Sequence, residues 1–430
     1  MLSRDELLIV GAGPSGLATA AAYRGRARIL EQAEEVGGLC RSIEFGGGVF
    51  DIGGHSFHSP HAEVTALVDG LFAQGLAWQA RDARVWFQGE LIAYPFQDHF
   101  HQLSDAAVVA ECRAQSPDPT VQVRADTLHD WILRRFGAGV AERFLLPYNR
   151  KLWGRDLHRV SCEWVGERIA GSEARGEAGP ARRPLQARTL VGYPREGGFG
   201  EIFRALAGRC APIAFGRRLS RIDPVARVAH TEDGEAWGWD RFVSTMPAPA
   251  LLEAIEGCPA RLIELAAGLE FVSLKVLLVL VAGQVGELPQ RVYVADPEIP
   301  PHKVAFNHTS SDSLRRRPVH AISCEITCAE DRRLTPETAL ERATLDWLVG
   351  AGFVRRASDV IETRWLDVRH GYPVYTARRA AICADIADYL EPLGIHAVGR
   401  FGRWQYVNSD ACIYEGGQLG RRLGELAVVA

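Results

Sequence analysis

The chain has 430 residues, of which 47% are hydrophobic and 24% charged, and its formal net charge is −4. These values are ordinary for a globular protein of two or three domains, and they exclude disordered, collagen-like and coiled-coil classes. The sequence has no cluster of lysine and arginine, which argues against nucleic-acid binding. The longest apolar run, 276–282, is far shorter than the roughly 20 residues that cross a bilayer, so no membrane span is predicted.

We expect a cytoplasmic protein without a structural metal. The first residues lack a basic stretch followed by an apolar core, so no export signal is predicted. Among the nine cysteines only Cys324 and Cys328 are close together, which indicates reduced thiols rather than disulfides or a zinc site. His55 and His58 lack companion ligands, and no metal site is predicted there.

A dinucleotide-binding unit is predicted at the start of the chain. The apolar run 7–10 is typical of a buried parallel strand, and a G-x-G-x-x-G motif follows it at 11–16. An alanine-rich stretch at 17–23 then predicts a helix, and 28–30 predicts a second strand that ends in Glu31. The motif alone is weak, but strand, turn, helix, strand and acid in this order indicate a dinucleotide site.

Each part of this motif has a physical role in the prediction. Gly11 permits the tight turn, Gly13 lets the backbone approach a pyrophosphate, and Gly16 lets helix and strand pack closely. The helix N-terminus faces the phosphates, while Glu31 accepts hydrogen bonds from a ribose hydroxyl. A second unit of this kind is not found in the sequence, so a separate nicotinamide domain is not expected.

Two segments downstream carry a resemblance to a known group. The segment 34–42 contains G-G-L-C-R-S after an acidic residue, and 50–55 reads F-D-I-G-G-H. Together with a late glycine-rich turn before a C-terminal helix, they resemble the flavoprotein superfamily of amine oxidases, protoporphyrinogen oxidase and UDP-galactopyranose mutase. The resemblance implies FAD as cofactor, bound by Gly11, Gly13, Pro14, Ser15, Gly16, Glu31, Gln32, Gly38, Leu39, Arg41, Gly53, Gly54, His55, Gly399, Arg400, Tyr406 and Val407.

An ordered set of further motifs is similar to the mutase branch, especially its eukaryotic-type members. The set comprises Y-P-F-Q at 94–97, P-Y-N-R-K-L-W at 147–153, W-V-G-E-R at 164–168, G-Y-P at 371–373 and G-R-F-G-R-W-Q-Y at 399–406. The resemblance implies a catalytic set of His55, Arg168, Tyr293, Lys303, Tyr372 and Tyr406. It implies that substrate is bound by Tyr94, Phe96, Gln97, Asn149, Trp153 and Arg291.

The mutase resemblance implies an isomerase that acts on a nucleotide sugar. In that family the flavin is active in its reduced form, and its N5 attacks the sugar anomeric carbon. The sugar then changes between pyranose and furanose with no net redox change. A transient electron donor, NAD(P)H or another reductant, would keep the flavin reduced. The sequence does not indicate an oligomeric state.

Two departures from the mutase pattern keep an alternative open. Lys303 stands where the family has a diphosphate-binding arginine, and Arg291 stands where it has an aromatic residue. Lysine keeps the charge but loses the bidentate fork of arginine. The alternative is an FAD-dependent oxidoreductase that acts on an amine or an alcohol. A non-enzymatic flavin-binding protein is disfavoured because substrate-side residues are so well supplied.

The predicted fold class is α/β, with a Rossmann-type FAD-binding domain, a helical lobe and an antiparallel sheet. The FAD-binding domain is expected to be discontinuous, over 1–93, 193–260 and 380–430. Residues 94–192 are expected to form the helical substrate lobe, with a mobile flap at 171–192 beside Arg168. Residues 261–379 are expected to form the antiparallel sheet of the substrate domain.

Overall fold

The computed structural model describes residues 3–114, 123–165, 190–283, 286–329 and 335–429. Arg168 and nearly all of the expected flap, 171–189, lie outside these residues. In the described ranges no helix combines the length and the apolar character that a bilayer crossing requires.

The strands and helices are as follows. The strands are β1 (Ser3–Val10), β2 (Ala27–Leu30), β3 (Ser42–Phe45), β4 (Gly48–Asp51), β5 (Ala77–Ala80), β6 (Ala83–Phe87), β7 (Glu90–Ala93), β8 (Leu190–Tyr193), β9 (Ile213–Ala214), β10 (Leu219–Asp223), β11 (Val228–Thr231), β12 (Ala236–Ser244), β13 (Phe271–Ala282), β14 (Arg291–Val294), β15 (Lys303–Phe306), β16 (Val319–Thr327), β17 (Val360–Pro373) and β18 (Ile395–Ala397). The helices are α1 (Pro14–Ala22), α2 (Ala62–Asp69), α3 (Phe96–His99), α4 (Ala106–Ala114), α5 (Leu128–Val140), α6 (Leu146–Trp153), α7 (Glu201–Ala207), α8 (Ala248–Ala254), α9 (Ala260–Ala266), α10 (Asp312–Arg315), α11 (Glu337–Gly350), α12 (Arg379–Leu390) and α13 (Ser409–Val429).

The first sheet is the predicted Rossmann sheet. Its strand order is β10-β11-β12-β1-β2-β9, and β18 also pairs with β12. Strand β1 has a parallel neighbour on each side, β12 and β2. Its apolar side chains at 7–9 are fully buried. A strand covered on both faces needs a continuous apolar run, which is why 7–10 identified it in the sequence. The turn between β1 and α1 therefore projects from the carboxyl edge of a central strand.

The second sheet has the order β17-β13-β16-β15-β14-β6-β7. All neighbours in it are antiparallel except β14 and β6, which are parallel. Strands β6 and β7 come from residues 83–93, so the boundary expected at residue 93 does not coincide with a boundary between the sheets. The predicted antiparallel sheet thus extends by a hairpin that the sequence analysis had placed in the FAD-binding domain.

Along the chain, the helical lobe follows strands β6 and β7 and precedes the other strands of the second sheet. Helices α4, α5 and α6 pack into one hydrophobic core with residues of the second sheet, including Val276 and Val85. A short π-helical stretch, Ala141–Leu145, joins α5 to α6. The fold class is confirmed: a Rossmann-like α/β sheet, a helical lobe and a largely antiparallel second sheet.

The last helix closes the Rossmann layer by packing on the first. A Cβ at Gly416 would overlap the carbonyl oxygen of Ser15, and one at Gly420 would overlap that of Thr19. Both glycines therefore let the backbone of α13 approach the backbone of α1. The contact brings α13 beside the glycine turn, which it helps to hold in place.

Candidate functional site

One large cavity connects the two sheets. It has a volume of about 970 Å³, at the upper end of the range of about 300–1,000 Å³ for small-molecule sites. Its lining runs from Glu31 and Gly13 on the Rossmann side to Tyr293 and Glu325 on the second sheet. A cavity of this extent has room for a dinucleotide and a second ligand.

The glycine turn forms one end of the cavity. Gly11 has φ of 101°, a conformation that favours glycine, and a Cβ at Gly16 would overlap the carbonyl oxygen of Gly11. A Cβ at Gly13, in contrast, would meet no atom within 4 Å. Helix α1 begins at Pro14 with no side-chain cap, so its first N–H groups remain available to an anion.

Glu31 lines the same end and is held by backbone donors. One carboxylate oxygen accepts the N–H of Ala12 at 2.7 Å, and the other accepts the N–H of Ala33 at 2.9 Å. A carboxylate has about four acceptor sites, so it can still accept a ribose hydroxyl. The arrangement fits the predicted role of Glu31, and it also fixes the turn itself.

The Gly53-Gly54-His55 loop lies between the Rossmann layer and the second sheet. A Cβ at Gly53 would overlap the carboxylate of Glu325, and a Cβ at Gly54 would lie 2.8 Å from that of Ala305. The loop is anchored by Asp51, whose oxygens accept the hydroxyl groups of Ser42 and Tyr193, both at 2.6 Å. Only glycine can bring His55 this close to the sheet.

His55 faces the cavity as a neutral imidazole. Burial, together with the charges of Lys303 and Arg291, lowers its pKa to about 3. Its Nδ1 has no hydrogen-bond partner within the described part of the chain. An uncharged ring with an unused nitrogen can either donate a hydrogen bond to a ligand in the cavity or accept one from it.

A buried ion pair lies at the far end of the cavity. Lys303 and Glu325 face each other in the register of β15 and β16, and the Lys303 Nζ lies 2.5 Å from Oε1 of Glu325. Tyr372 donates its hydroxyl to Oε2 of Glu325 at 2.6 Å. Burial would raise the pKa of Glu325, but the charge of Lys303 and the nearby His302 hold it well below its usual range. Glu325 is therefore ionised although it is buried.

Tyr293, on β14, lies among three cations: Arg291 on the same strand, Lys303 on β15 and Arg81 before β6. Its hydroxyl accepts a hydrogen bond from Nη2 of Arg81 at 3.3 Å. Its ring packs on the ring of Tyr94, with 4.7 Å between the centroids. Burial would raise the pKa of Tyr293, but the charges of Arg81, Arg291 and Lys303 outweigh it and lower the pKa. This hydroxyl occupies a strongly positive part of the cavity.

Arg400 and Tyr406 close the cavity from the segment before α13. The guanidinium of Arg400 donates to the carbonyl oxygen of Val407 from two nitrogens, at 2.9 and 2.7 Å, and to that of Gly371 at 3.1 Å. Its charge lies 5.8 Å from the ring of Tyr406. Arg400 thus shapes the loop, and Tyr406 is held in an aromatic group with Tyr372 and Trp164.

The residues that the 94–97 and 147–153 motifs place at the substrate do not all reach the cavity. Tyr94, Gln97 and Asn149 line the cavity, although the Asn149 amide donates to the Leu145 carbonyl oxygen at 2.8 Å. Phe96 also borders it but is fully buried and stacked on Phe144. Trp153 does not line the cavity. It packs against Trp164 and Tyr406 instead, with ring centroids 5.1 and 5.5 Å away.

Most predicted site residues meet in this cavity. Those that line it are Gly11, Gly13, Pro14, Ser15, Glu31, Gln32, Gly38, Leu39, Gly53, Gly54, His55, Tyr94, Phe96, Gln97, Asn149, Arg291, Tyr293, Lys303, Tyr372, Gly399, Arg400, Tyr406 and Val407. Gly16, Arg41 and Trp153 do not line it. Gly16 supports the turn from behind, and Arg41 bonds to the Gly38 carbonyl oxygen at 2.8 Å.

Three lining residues were missed by sequence reasoning. Glu325 is a lone acid in the apolar strand β16, a signal that could have been used because a buried acid needs a partner. His302 adjoins Lys303 and lies 3.6 Å from Glu325. Arg81 stands in the connection between β5 and β6, and no motif marks it.

Two other groups of reactive or metal-binding residues are less suited to a role in this site. Cys40 lines the cavity, but burial raises the pKa of its thiol to about 12, which argues against a reactive thiolate. Among the described residues, His129, Asp130 and His158 bring three ligand atoms within 4.8 Å of one another. This group does not line the cavity.

The residues present fit a bound FAD. The open space above Gly13 is where a phosphate would pass, and Glu31 can still accept a ribose hydroxyl. The turn at Gly399, with φ of 88°, closes over Ser15 and would leave no space for a Cβ there. These contacts form a continuous groove from the Glu31 end to the Gly53-Gly54-His55 loop.

Comparison with known proteins agrees with this geometry. Residues 9–71 match the model of an NAD(P)-binding Rossmann-like domain. The chain is 26% identical to the coproporphyrinogen III oxidase of Mycobacterium tuberculosis, over 92% of this chain and 95% of that protein.

Solved structures show the same fold. A reduced UDP-galactopyranose mutase superposes with a TM-score of 0.87 at 23% identity, covering 99% of this chain and 96% of that one. The cyclohexylamine oxidase of Brevibacterium oxydans superposes with a TM-score of 0.70 at 16% identity, covering 99% of each chain. The chain therefore shares its overall fold with a UDP-galactopyranose mutase and with an amine oxidase.

Proposed function

We propose that this protein is an FAD-dependent mutase that interconverts pyranose and furanose forms of a nucleotide sugar. The observation that carries the proposal is the TM-score of 0.87 with a UDP-galactopyranose mutase over 99% of the chain. The ordered mutase-like motifs support it, because the cavity collects Tyr94, Tyr293, Tyr372 and Tyr406 from separate parts of the sequence.

The residues divide the work along the cavity. The glycine turn and Glu31 would hold the diphosphate and a ribose of FAD, and Gly53-Gly54-His55 would face its ring. Reduced FAD, when bound, would supply a nucleophilic nitrogen for exchange at the anomeric carbon without net redox change. The protein's own contribution is to hold the nucleotide sugar in one orientation, which can account for about 7–11 kcal/mol of a barrier in favourable cases.

The polar groups around His55 set the proton chemistry. The imidazole is neutral, with its pKa lowered to about 3, so at neutral pH it adds no charge beside the sugar. Tyr372 donates to Glu325, which keeps that carboxylate oriented toward Lys303. These groups can exchange hydrogen bonds with sugar hydroxyls while the ring opens and recloses.

The test of the mutase proposal is product analysis under reducing conditions. The flavin-loaded protein would be reduced with dithionite without oxygen and incubated with UDP-, GDP- and dTDP-sugars. We expect one substrate to yield an isomer of unchanged mass with a different retention time, while the flavin spectrum stays reduced. Arg84→Gln is the matched control, since Arg84 pairs with Asp82 at 2.7 Å and does not line the cavity.

A second function is favoured by two observations. The charge of Lys303 is taken up by Glu325, which weakens the predicted diphosphate clamp, and a relative of 26% identity is a coproporphyrinogen III oxidase. The alternative is an FAD-dependent oxidoreductase that removes two electrons from an amine or an alcohol and passes them to the flavin. It replaces the mutase proposal if no nucleotide sugar is isomerised and the oxidised flavin is bleached by such a substrate.

A further inference from the structure

The positive charge in the cavity is unequally available to a ligand. Lys303 lies 2.5 Å from Glu325, a carboxylate that also accepts the hydroxyl of Tyr372. Because a carboxylate so close neutralises the ammonium group, this part of the cavity is balanced in charge. An incoming anion would have to compete with Glu325 for Lys303.

Arg291 is differently placed on the next strand. Its Nη2 donates to the hydroxyl of Ser56 at 2.9 Å, and its side chain is 9% exposed in total. Its Nε is buried and has no hydrogen-bond partner among the described residues, and no salt bridge joins its guanidinium to a described carboxylate, although its charge lowers the pKa of Asp51. A buried guanidinium that no carboxylate contacts is costly unless a ligand supplies the negative charge.

Arg81 brings a second guanidinium to the same place. Its Nη2 reaches the hydroxyl of Tyr293 at 3.3 Å, and its charge lies 5.3 Å from the ring of Tyr94. Arg291 also lowers the pKa of Tyr293, so both guanidinium groups act on one hydroxyl. Two guanidinium groups and a hydroxyl are the donors that bind phosphate or carboxylate groups most specifically.

We propose that Arg81, Arg291 and Tyr293 form the site that binds the anionic group of the substrate, and that Lys303 does not. The site takes a phosphate or a carboxylate group, which share this chemistry. The phosphate form rests on the proposed mutase function, whereas the anion site itself does not. Arg81 and Arg291 are thereby specificity-determining residues, and Lys303 is a positioning residue for Glu325.

The test measures the affinity of two anions for the flavin-loaded protein by calorimetry. UDP probes the phosphate arm, and coproporphyrin III, with its carboxylates, probes the carboxylate arm. We expect Arg81→Gln and Arg291→Gln each to raise the Kd of one probe by about 10- to 100-fold. The Arg84→Gln variant and the double variant Lys303→Met/Glu325→Gln should change it by less than about threefold.

Each outcome of these titrations either supports the anion site or overturns it. Loss of UDP affinity in both arginine variants supports the anion site and its phosphate form. Loss of coproporphyrin affinity alone supports the anion site and rejects the mutase function. The inference is overturned if the arginine variants behave like Arg84→Gln, if the Lys303 double variant loses as much as they do, or if the wild type binds neither probe. Should a glutamine variant not fold, Arg291→Lys keeps the charge without the fork and should lose part of the affinity.

Discussion

The two ends of the cavity hold their charges in different ways. At the Rossmann end, the carboxylate of Glu31 is satisfied by two backbone N–H groups, at 2.7 and 2.9 Å. At the substrate end, Lys303 and Glu325 are satisfied mainly by each other. Backbone donors are fixed by the fold, and only a substitution to proline removes one. A pair of side chains fails as soon as one member is lost, so the substrate end is the more sensitive to single changes of charge.

The largest expected effect tests the backbone at the Rossmann end. Gly16→Ala would force a Cβ onto the carbonyl oxygen of Gly11, and we expect a loss of about 3 kcal/mol or more in the free energy of unfolding. Gly13→Ala meets no atom within 4 Å, so it should keep the stability and lose only flavin affinity. Urea unfolding of the flavin-free proteins, with flavin content after loading, separates the two. Full flavin content in Gly13→Ala would show that the cofactor does not pass over Gly13.

The second prediction tests the side-chain pair at the substrate end. Glu325→Gln or Lys303→Met alone should lower the free energy of unfolding by about 3 kcal/mol, because each leaves a largely buried charge unpaired. The double variant should be more stable than the sum of the two losses predicts. The measurement is a double-mutant cycle by urea unfolding.

The more exposed pair of Lys275 and Glu337 is the control for this cycle. It also joins a lysine to a glutamate at 2.5 Å, but the two side chains are 28% and 45% exposed. Lys275→Met and Glu337→Gln should each cost no more than about 1 kcal/mol. Equal costs for the two pairs would mean that the substrate end does not depend on its buried charges.

The smallest effect concerns a buried histidine, His308, whose two ring nitrogens have no hydrogen-bond partner among the described residues. Burial lowers the pKa of His308 to about 3, and the unfolded chain binds a proton near pH 6.5. Since the unfolded state then holds more protons, stability must fall as the pH is lowered from 6.5. Between pH 7 and pH 5 the loss from this residue should be about 2 kcal/mol.

Urea unfolding at several pH values measures this loss. In His308→Gln the difference in stability between pH 7 and pH 5 should shrink by that amount, while His101→Gln, at an exposed position, serves as control. An unchanged pH dependence in His308→Gln would show that the residue is not buried as a neutral ring.

The contrast between the two ends also explains what could be predicted from the sequence. The strand, the turn and Glu31 lie within 7–31, so local order alone identified them. The fold class followed from the same order and from the resemblance of scattered motifs. The pairing of Lys303 with Glu325 depends on the register of β15 and β16, which the sequence does not state.

Two further residues show where sequence reasoning ends. Trp153 belongs to a motif, yet Asn149 and Leu152 line the cavity while Trp153 packs against the rings of Trp164 and Tyr406. Arg81 reaches Tyr293 across 212 positions of the chain, through the parallel pairing of β6 with β14. Contacts of this kind come from tertiary structure, and no local pattern encodes them.

The packing of α13 on α1 has a consequence for synthesis in the cell. A chain emerging from the ribosome presents β1, the glycine turn and Glu31 early, but Gly399 and the two glycines at 416 and 420 come last. Until they have been made, the turn lacks the layer that closes over Ser15. If the proposed flavin binds over this turn, a chain that stops before that helix should retain less flavin than the full chain, and the yellow colour would report that translation had reached α13.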